Sequence, residues 1–306
     1  MATTVLGLKT FAASDPVDYN EVNDNYNKID NGVKTALQGR AAQNLLDNSD
    51  FRNPVNQRGA SSYSGTGGKV HTIDRWHTWS ASISVSVQSG YLSITNSTDS
   101  IYQNIAQIIA GHNLTDKAAT IAVWDAAGNV YCASGVISTN NEIACNTPTD
   151  FLFSAMLEDD NTIYFSIRPR GAKTAKIKAA ALYEGAYDAS TLPAYQPKGY
   201  AAELAECMRY YQIIPEQTSC AFSAYAQSEK YFASSINFPQ MRITPTVSLK
   251  TDSNGYIGVV QGVSFVSTSE FDFAYKINGA LLPATTNANY AGKVMSFYGI
   301  ELSADL

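Results

Sequence analysis

Charge is scarce in this chain. Asp, Glu, Lys and Arg make up 16% of its 306 residues, where soluble domains usually carry about a quarter. The formal net charge is −6 and no basic cluster stands against it, so no nucleic-acid partner is expected. No apolar run reaches the roughly 18 residues of a spanning helix, which argues against membrane insertion. The opening MATTVLGLKTFAASDP lacks a basic stretch followed by an apolar one. It does not read as a secretory signal, and synthesis in the cytoplasm without a leader is expected.

Reactive side chains are equally sparse. The four cysteines, Cys132, Cys145, Cys207 and Cys220, form no CxxC or CxxH pair, so no zinc site is expected. Cys132 and Cys145 have the separation to bridge a hairpin, but a chain made without a leader favours buried thiols. Three histidines are present, His71, His77 and His112, with no GxSxG motif to accompany them. His71 and His77 stand six apart, whereas metal pairs usually sit at i, i+2 or i, i+4, so neither a metal nor another cofactor is expected. Acids for glycoside cleavage would come from Glu142, Glu158, Asp159 and Asp160. Residues 158–161 read first as a polar turn between Leu157 and Ile163. The chain is therefore not expected to be an enzyme.

What the sequence does hold is one regular helical signal, residues 15–39. Asp15 is placed as an N-cap, Pro16 as the first helical residue and Gly39 as the stop. Tyr19, Val22, Tyr26, Ile29, Val33 and Ala36 recur at alternating spacings of three and four, a heptad seam. The seam reads either as an amphipathic helix packed on its own domain or as a short parallel coiled coil between identical chains. Its narrowness, between Asn, Asp, Glu and Lys, favours the coiled coil. Three heptads span about 33 Å, enough to assist an oligomer held mainly by other surfaces. Residues 1–14 form an extended arm, either disordered or lying against a partner.

After the helix the period changes from 3.6 to 2. Ile83, Val85 and Val87 alternate with serines, and β-type runs recur to about residue 185, among them 91–94, 120–124, 151–153, 162–167 and 175–182. Turn residues separate them every 8–15 residues, the pattern of an antiparallel sandwich or jelly roll. Pro193 and Pro197 lie in a connector. Ala201 to Tyr211 then reads as a linker helix with Leu204, Cys207, Met208 and Tyr211 on one stripe. The remainder is β again. The expected class is mainly β: a coiled-coil helix (15–43), a jelly-roll β-sandwich (44–198), and a linker helix with a C-terminal β-sandwich tip domain (199–306).

Several stretches, in this order, resemble phage tail-fibre and receptor-binding proteins, including those of phage-tail-like bacteriocins. LGLKTFAASDPVDYNEVNDNYNKID, with Tyr19-Asn20 and Ile29-Asp30, is similar to the segment that opens many such fibres. NLLDNSDFRNPVNQRG (44–59), followed by Asp74-Arg75-Trp76, resembles the start of their carbohydrate-binding-module-like jelly roll, and Ala181 to Gly185 resembles its last strand. ELAECMRYYQ (203–212) is similar to their linker helix, and FPQMRITPTV (238–247) to the start of their terminal domain. The chain departs from the pattern at 186–192, where the family passes quickly to a proline. The resemblance implies a homotrimer in the virion, at the tail tip or fibre. Its arm would face a tail or baseplate protein, and its tip a bacterial surface polysaccharide.

Sugars stack their C–H faces on exposed aromatic rings. Trp76, beside Asp74 and Arg75, reads as a core residue with a buried ion pair behind it, and Trp124 sits mid-strand. Trp79, followed by serine, is the tryptophan expected to be exposed. In the tip, Tyr225, Tyr231, Tyr256 and Tyr290 are candidate ligand contacts on a surface rich in Tyr, Ser and Asn, with the loops 225–230, 251–256 and 284–291 as their sites. The competing readings are a polysaccharide depolymerase using Glu142, Glu158 or Asp160, and a stand-alone carbohydrate-binding adhesin.

Overall fold

The structure, a computed structural model, describes residues 18, 20–29, 32, 43–79, 81–95, 99–138, 142–147, 150, 151–158, 162–214, 222–228, 231–233, 235–236, 238–250, 258–260, 263–265, 272–273, 280–281, 284–285, 294–297 and 299–304. Residues 20–29 are helical (α1). Asp18 caps this helix: its Oδ1 accepts from the Asn20 N–H at 2.9 Å and its carbonyl from Val22 at 3.1 Å. The expected N-cap Asp15 lies outside the described residues together with Pro16 and Gly39. A carboxylate that accepts from an N–H at the start of a helix satisfies one of its orphan donors. Of the seam, Val22 is half-buried, Tyr26 is 67% exposed and Ile29 is 41% exposed. Tyr19, Val33 and Ala36 lie outside the described residues.

Alternation of apolar and polar residues then dictates strands with one buried face. Two six-stranded antiparallel sheets follow. The first runs β1 (Ser62–Ser64), β4 (Ser84–Gln88), β5 (Tyr91–Thr95), β12 (Thr174–Glu184), β7 (Ala118–Asp125), β8 (Val130–Val136). The second runs β2 (Val70–His71), β3 (His77–Thr78), β6 (Ile101–Asn104), β11 (Thr162–Pro169), β10 (Phe151–Glu158), β9 (Ile143–Asn146). The chain changes sheet at β1–β2, β3–β4 and β5–β6, returns through the short helix α2 (Ala106–Gly111) to β7, and crosses again at β8–β9 and β11–β12. Val85, Leu92, Ile94, Ile121, Val123, Ile177 and Leu182 of the first sheet share one buried cluster with Ile101, Phe151, Phe153, Phe165 and Ile167 of the second. Each such side chain stabilises the fold by about 1.5–3 kcal/mol relative to exposure.

The outer face of the first sheet is roofed by the chain itself. Gly185, at φ +100°, turns residues 186–195 back over Ala122, Ala181 and Tyr183, where Tyr187, Leu192 and Tyr195 pack and Trp124 meets Tyr195 at 5.1 Å. A Cβ on Gly185 would stand 3.4 Å from the Tyr187 ring. The extra residues at 186–192 therefore serve as a lid on an apolar sheet face. Cys132 and Cys145 are free thiols on β8 and β9, with Cys145 Sγ 3.7 Å from the Cys132 carbonyl. They do not span a hairpin, because those strands are edges of opposite sheets.

The linker helix, α3, covers Tyr200–Cys207 and stops short of the expected Tyr211. Tyr211 begins β13 (Tyr211–Ile214), whose Ile213 and Ile214 favour a strand. β13 pairs with β24 (Ile300–Ser303), which also pairs with β17 (Thr246–Leu249). A seven-stranded sheet follows the order β19 (Val263–Phe265), β18 (Gly258–Val260), β23 (Val294–Phe297), β14 (Phe222–Ser228), β15 (Tyr231–Ala233), β22 (Ala284–Thr285), β20 (Asp272–Phe273), and β16 (Ser235–Ile236) pairs with β21 (Ala280–Leu281). The described chain is thus mainly β, with antiparallel sheets and a sandwich-like first half. Among the described residues no helix is long and apolar enough to cross a membrane.

Candidate binding site

The stretches that carry the family resemblance after the helix meet at one place. Asn48, buried and at φ +48°, donates from Nδ2 to the Val55 and Asp74 carbonyls at 2.8 and 2.6 Å and accepts from the Val55 N–H at 2.7 Å. Its own N–H reaches Glu203 Oε2 at 2.6 Å, and its carbonyl accepts from the Trp76 indole at 2.9 Å. Gln57 donates to Asp74 and to the Tyr211 carbonyl, each at 2.7 Å. Arg58 pairs with Asp74 at 3.2 Å and lies 3.6 Å from the Tyr211 ring centroid. Gln212 donates to the Pro239 carbonyl at 3.2 Å. Trp76 is fully buried, as its neighbours suggested, edge-on to Phe51 at 5.2 Å and Phe165 at 6.0 Å. Arg75 adopts φ +71° in the turn between β2 and β3 and pairs with Asp47 at 3.0 Å.

Glu203 and Cys207, both on α3, have strongly displaced proton affinities. Burial, partly opposed by the bond from Asn48 and the charge of Lys198, pushes the Glu203 carboxyl up to about 7. Burial also pushes up the Cys207 thiol on the same helix, so it stays protonated and inert. Of the expected helical stripe, Cys207 is buried and Leu204 and Met208 are half-buried, while Glu203 is the unforeseen buried member.

The β2–β3 turn places His71 and His77 directly opposite one another, ring centroids 5.9 Å apart. Their six-residue spacing thus hides a cross-strand pair. His77 is next paired with Tyr102 on β6, and Tyr164 of β11 lies opposite Asn104. Trp79 stands edge-on to His77, Tyr102 and Tyr164, at 4.5, 4.9 and 5.2 Å. Trp79, Tyr102 and Tyr164 are half-buried. This outer face of the second sheet is an aromatic patch with partly open rings, in contrast to the roofed face of the first.

Beside the patch a cavity of about 190 Å³ is lined by Lys69, His71, Arg75, His77, Tyr210 and Arg242, together with Asn104 and Gln107. The Tyr210 ring carries two guanidiniums, Arg75 at 3.4 Å and Arg242 at 5.4 Å from its centroid. Burial, with Lys69, His71 and Arg75 adding, depresses the His77 imidazole to about 2. It is therefore neutral near pH 7. Its Nε2 is buried without a hydrogen-bond partner, and so is Arg242 Nε.

The chain matches no family model, no curated protein and no solved structure.

Trp79 is the expected ligand residue that falls within this site. Tyr225 and Tyr231 lie in strands, β14 and β15, each paired on both sides, and not in loops. Residues 225–228 and 284–285 are strand as well. Tyr256 and Tyr290 lie outside the described residues. Glu142 is exposed, and Glu158 closes β10 opposite Thr162 at a hairpin whose tip, with Asp159 and Asp160, lies outside the described residues. Lys69, Tyr102, Tyr164, Tyr210 and Arg242 escaped the sequence reading because they come from separate strands and loops. Their one signal was the arginines of DRW, CMRYY and QMRIT in a chain poor in charge.

Proposed function

We propose that the protein is a receptor-binding protein of a phage tail or phage-tail-like particle, without catalytic activity of its own, and that it binds a bacterial surface glycan. The aromatic patch formed by Trp79, Tyr102 and Tyr164 carries this reading. Partly open rings fixed by edge-on contacts offer a rigid stacking platform to the apolar faces of a sugar. The two crossing sheets fit a jelly roll, and the exposed Tyr26 and Ile29 fit a seam that a trimeric coiled coil would cover. Three copies on one axis make weak single-site binding useful. The arm at 1–14 would join the tail or baseplate, and the tip would add contacts to the host.

The test is binding of the full chain to purified polysaccharide from a susceptible host, with Trp79→Ala beside it. Stacking contributes about 0.5–1.5 kcal/mol, so W79A, checked to be folded at the assay temperature despite its lost ring contacts, should bind up to roughly 10-fold more weakly, and neither protein should release oligosaccharide. Equal binding by W79A removes the patch from the reading, and released oligosaccharide replaces it with a depolymerase.

A further inference from the structure

The aromatic patch has a polar border at Tyr102. Asp99 stands two residues before β6 begins its pairing with β3 and is half-buried. Its Oδ1 accepts from the Tyr102 hydroxyl at 2.6 Å and from the Ser100 N–H at 2.7 Å. Its Oδ2 meets no donor among the described residues and is not buried. Two bonds on one oxygen thus hold the carboxylate still and leave the other oxygen as an acceptor beside the ring.

Arg168 borders the same ring from β11. Tyr102 pairs directly with Ser166, so Tyr164 and Arg168, two residues to either side of Ser166, are its diagonal neighbours on one sheet face. Such neighbours lie about 7–8 Å apart, within reach of aromatic and long side chains. Tyr164 does meet Tyr102, ring centroids 5.8 Å apart. Arg168 is exposed, and its side chain makes no ion pair or hydrogen bond among the described residues. Because Ile101 pairs with Ile167, Asp99 and Arg168 leave that pair at the same end. They are not bonded to each other.

That combination selects a ligand group. An ionised carboxylate only accepts hydrogen bonds, and a guanidinium only donates them. A hydroxyl serves both, since it donates through its O–H and accepts on its lone pairs. An anionic group would suit Arg168 but would meet Asp99 with like charge, which is costly. A sugar ring whose apolar face lies on the patch presents its hydroxyls around its edge, where these two groups stand. We propose that Asp99 and Arg168 bind two hydroxyls of an uncharged sugar, one donating to Asp99 Oδ2 and one accepting from Arg168, with the ring on Trp79, Tyr102 and Tyr164. The inference rests on the glycan-binding reading and names the polar half of that site.

The experiment is an NMR titration of the full chain with the methyl glycosides of glucose, galactose, mannose and glucuronic acid. At least one uncharged glycoside should bind more tightly than the glucuronoside. Asp99→Asn keeps an oxygen for Tyr102 and Ser100 but puts an amide donor where the free acceptor was. It should weaken that glycoside roughly 10-fold or more, with the Tyr102 ring signals of the free protein unmoved. An Asp99 that only anchors Tyr102 predicts no such loss. Arg168→Gln should weaken the same glycoside about 3- to 10-fold. Equal binding by wild type, D99N and R168Q overturns the inference and leaves the glycan reading on the aromatic rings. Tighter binding of the glucuronoside overturns it as well. If no glycoside binds, the inference falls, and the polysaccharide titration with W79A decides the glycan reading separately.

Discussion

Asn48 occupies a left-handed backbone conformation that Asn tolerates and most residues do not. Its side chain serves three backbone groups, and its own two backbone groups serve Glu203 and Trp76. Asn48→Ala leaves buried donors and acceptors unpaired at Val55 and Asp74 and strains the turn. The loss should be about 3–5 kcal/mol by urea unfolding, and a loss under about 1 kcal/mol would remove Asn48 from the centre of the joint. Arg75 follows the same logic with a different compensation. Its φ of +71° is costly for a long side chain, and the pair with Asp47 and the stack on Tyr210 offset it. Neither role was legible in the sequence. NLLDN and DRW were visible as words, but the partners that give them meaning lie tens to more than a hundred residues away.

Among the elements, α3 is the one whose placement a titration can test. Glu203 has a folded value of about 7 against an ordinary 4.5. Between those limits the folded state binds more protons than the unfolded state. The contribution is therefore fully present below about pH 4.5 and is lost as pH rises through about 7. Glu203→Gln cannot ionise, so its melting temperature should gain on that of the wild type as pH rises from 4.5 to 7. Parallel curves would mean that Glu203 is not buried against Asn48. The strands were well marked in advance by their alternation, as in Ile83 to Val87 and Thr162 to Ile167. The end of α3 was not, because Tyr211 continues the helical stripe and only its pairing with Ser303 makes it a strand. The roof at 186–195 was equally hidden, since no local pattern announces which sheet face a loop will cover. The aromatic patch was half legible: Trp79 stood out by its serine neighbours, whereas Tyr102 and Tyr164 needed the sheet order to reach it.

For the whole molecule, the exposed Tyr26 and Ile29 make the oligomeric state a direct prediction. Light scattering should give about 99 kDa, three times the 33.0 kDa chain. A single-chain mass would leave the seam without a partner and end the coiled-coil proposal. The polar joint has a mechanical consequence besides. The chain enters the sandwich at Asp47 and Asn48 and leaves it at Lys198 and Glu203, and these residues are bonded to each other. A pull between the N-terminal helix and the C-terminal sheets therefore runs through that clasp and bypasses the sandwich. In a single-molecule stretching experiment the clasp should yield first and at the higher force, and the roughly 150 residues behind it should then pay out about 500 Å of slack. N48A should release the same length at a lower force. A protein so built hangs its two sandwich sheets beside the load path, where tension between the ends of the chain would leave their shape untouched.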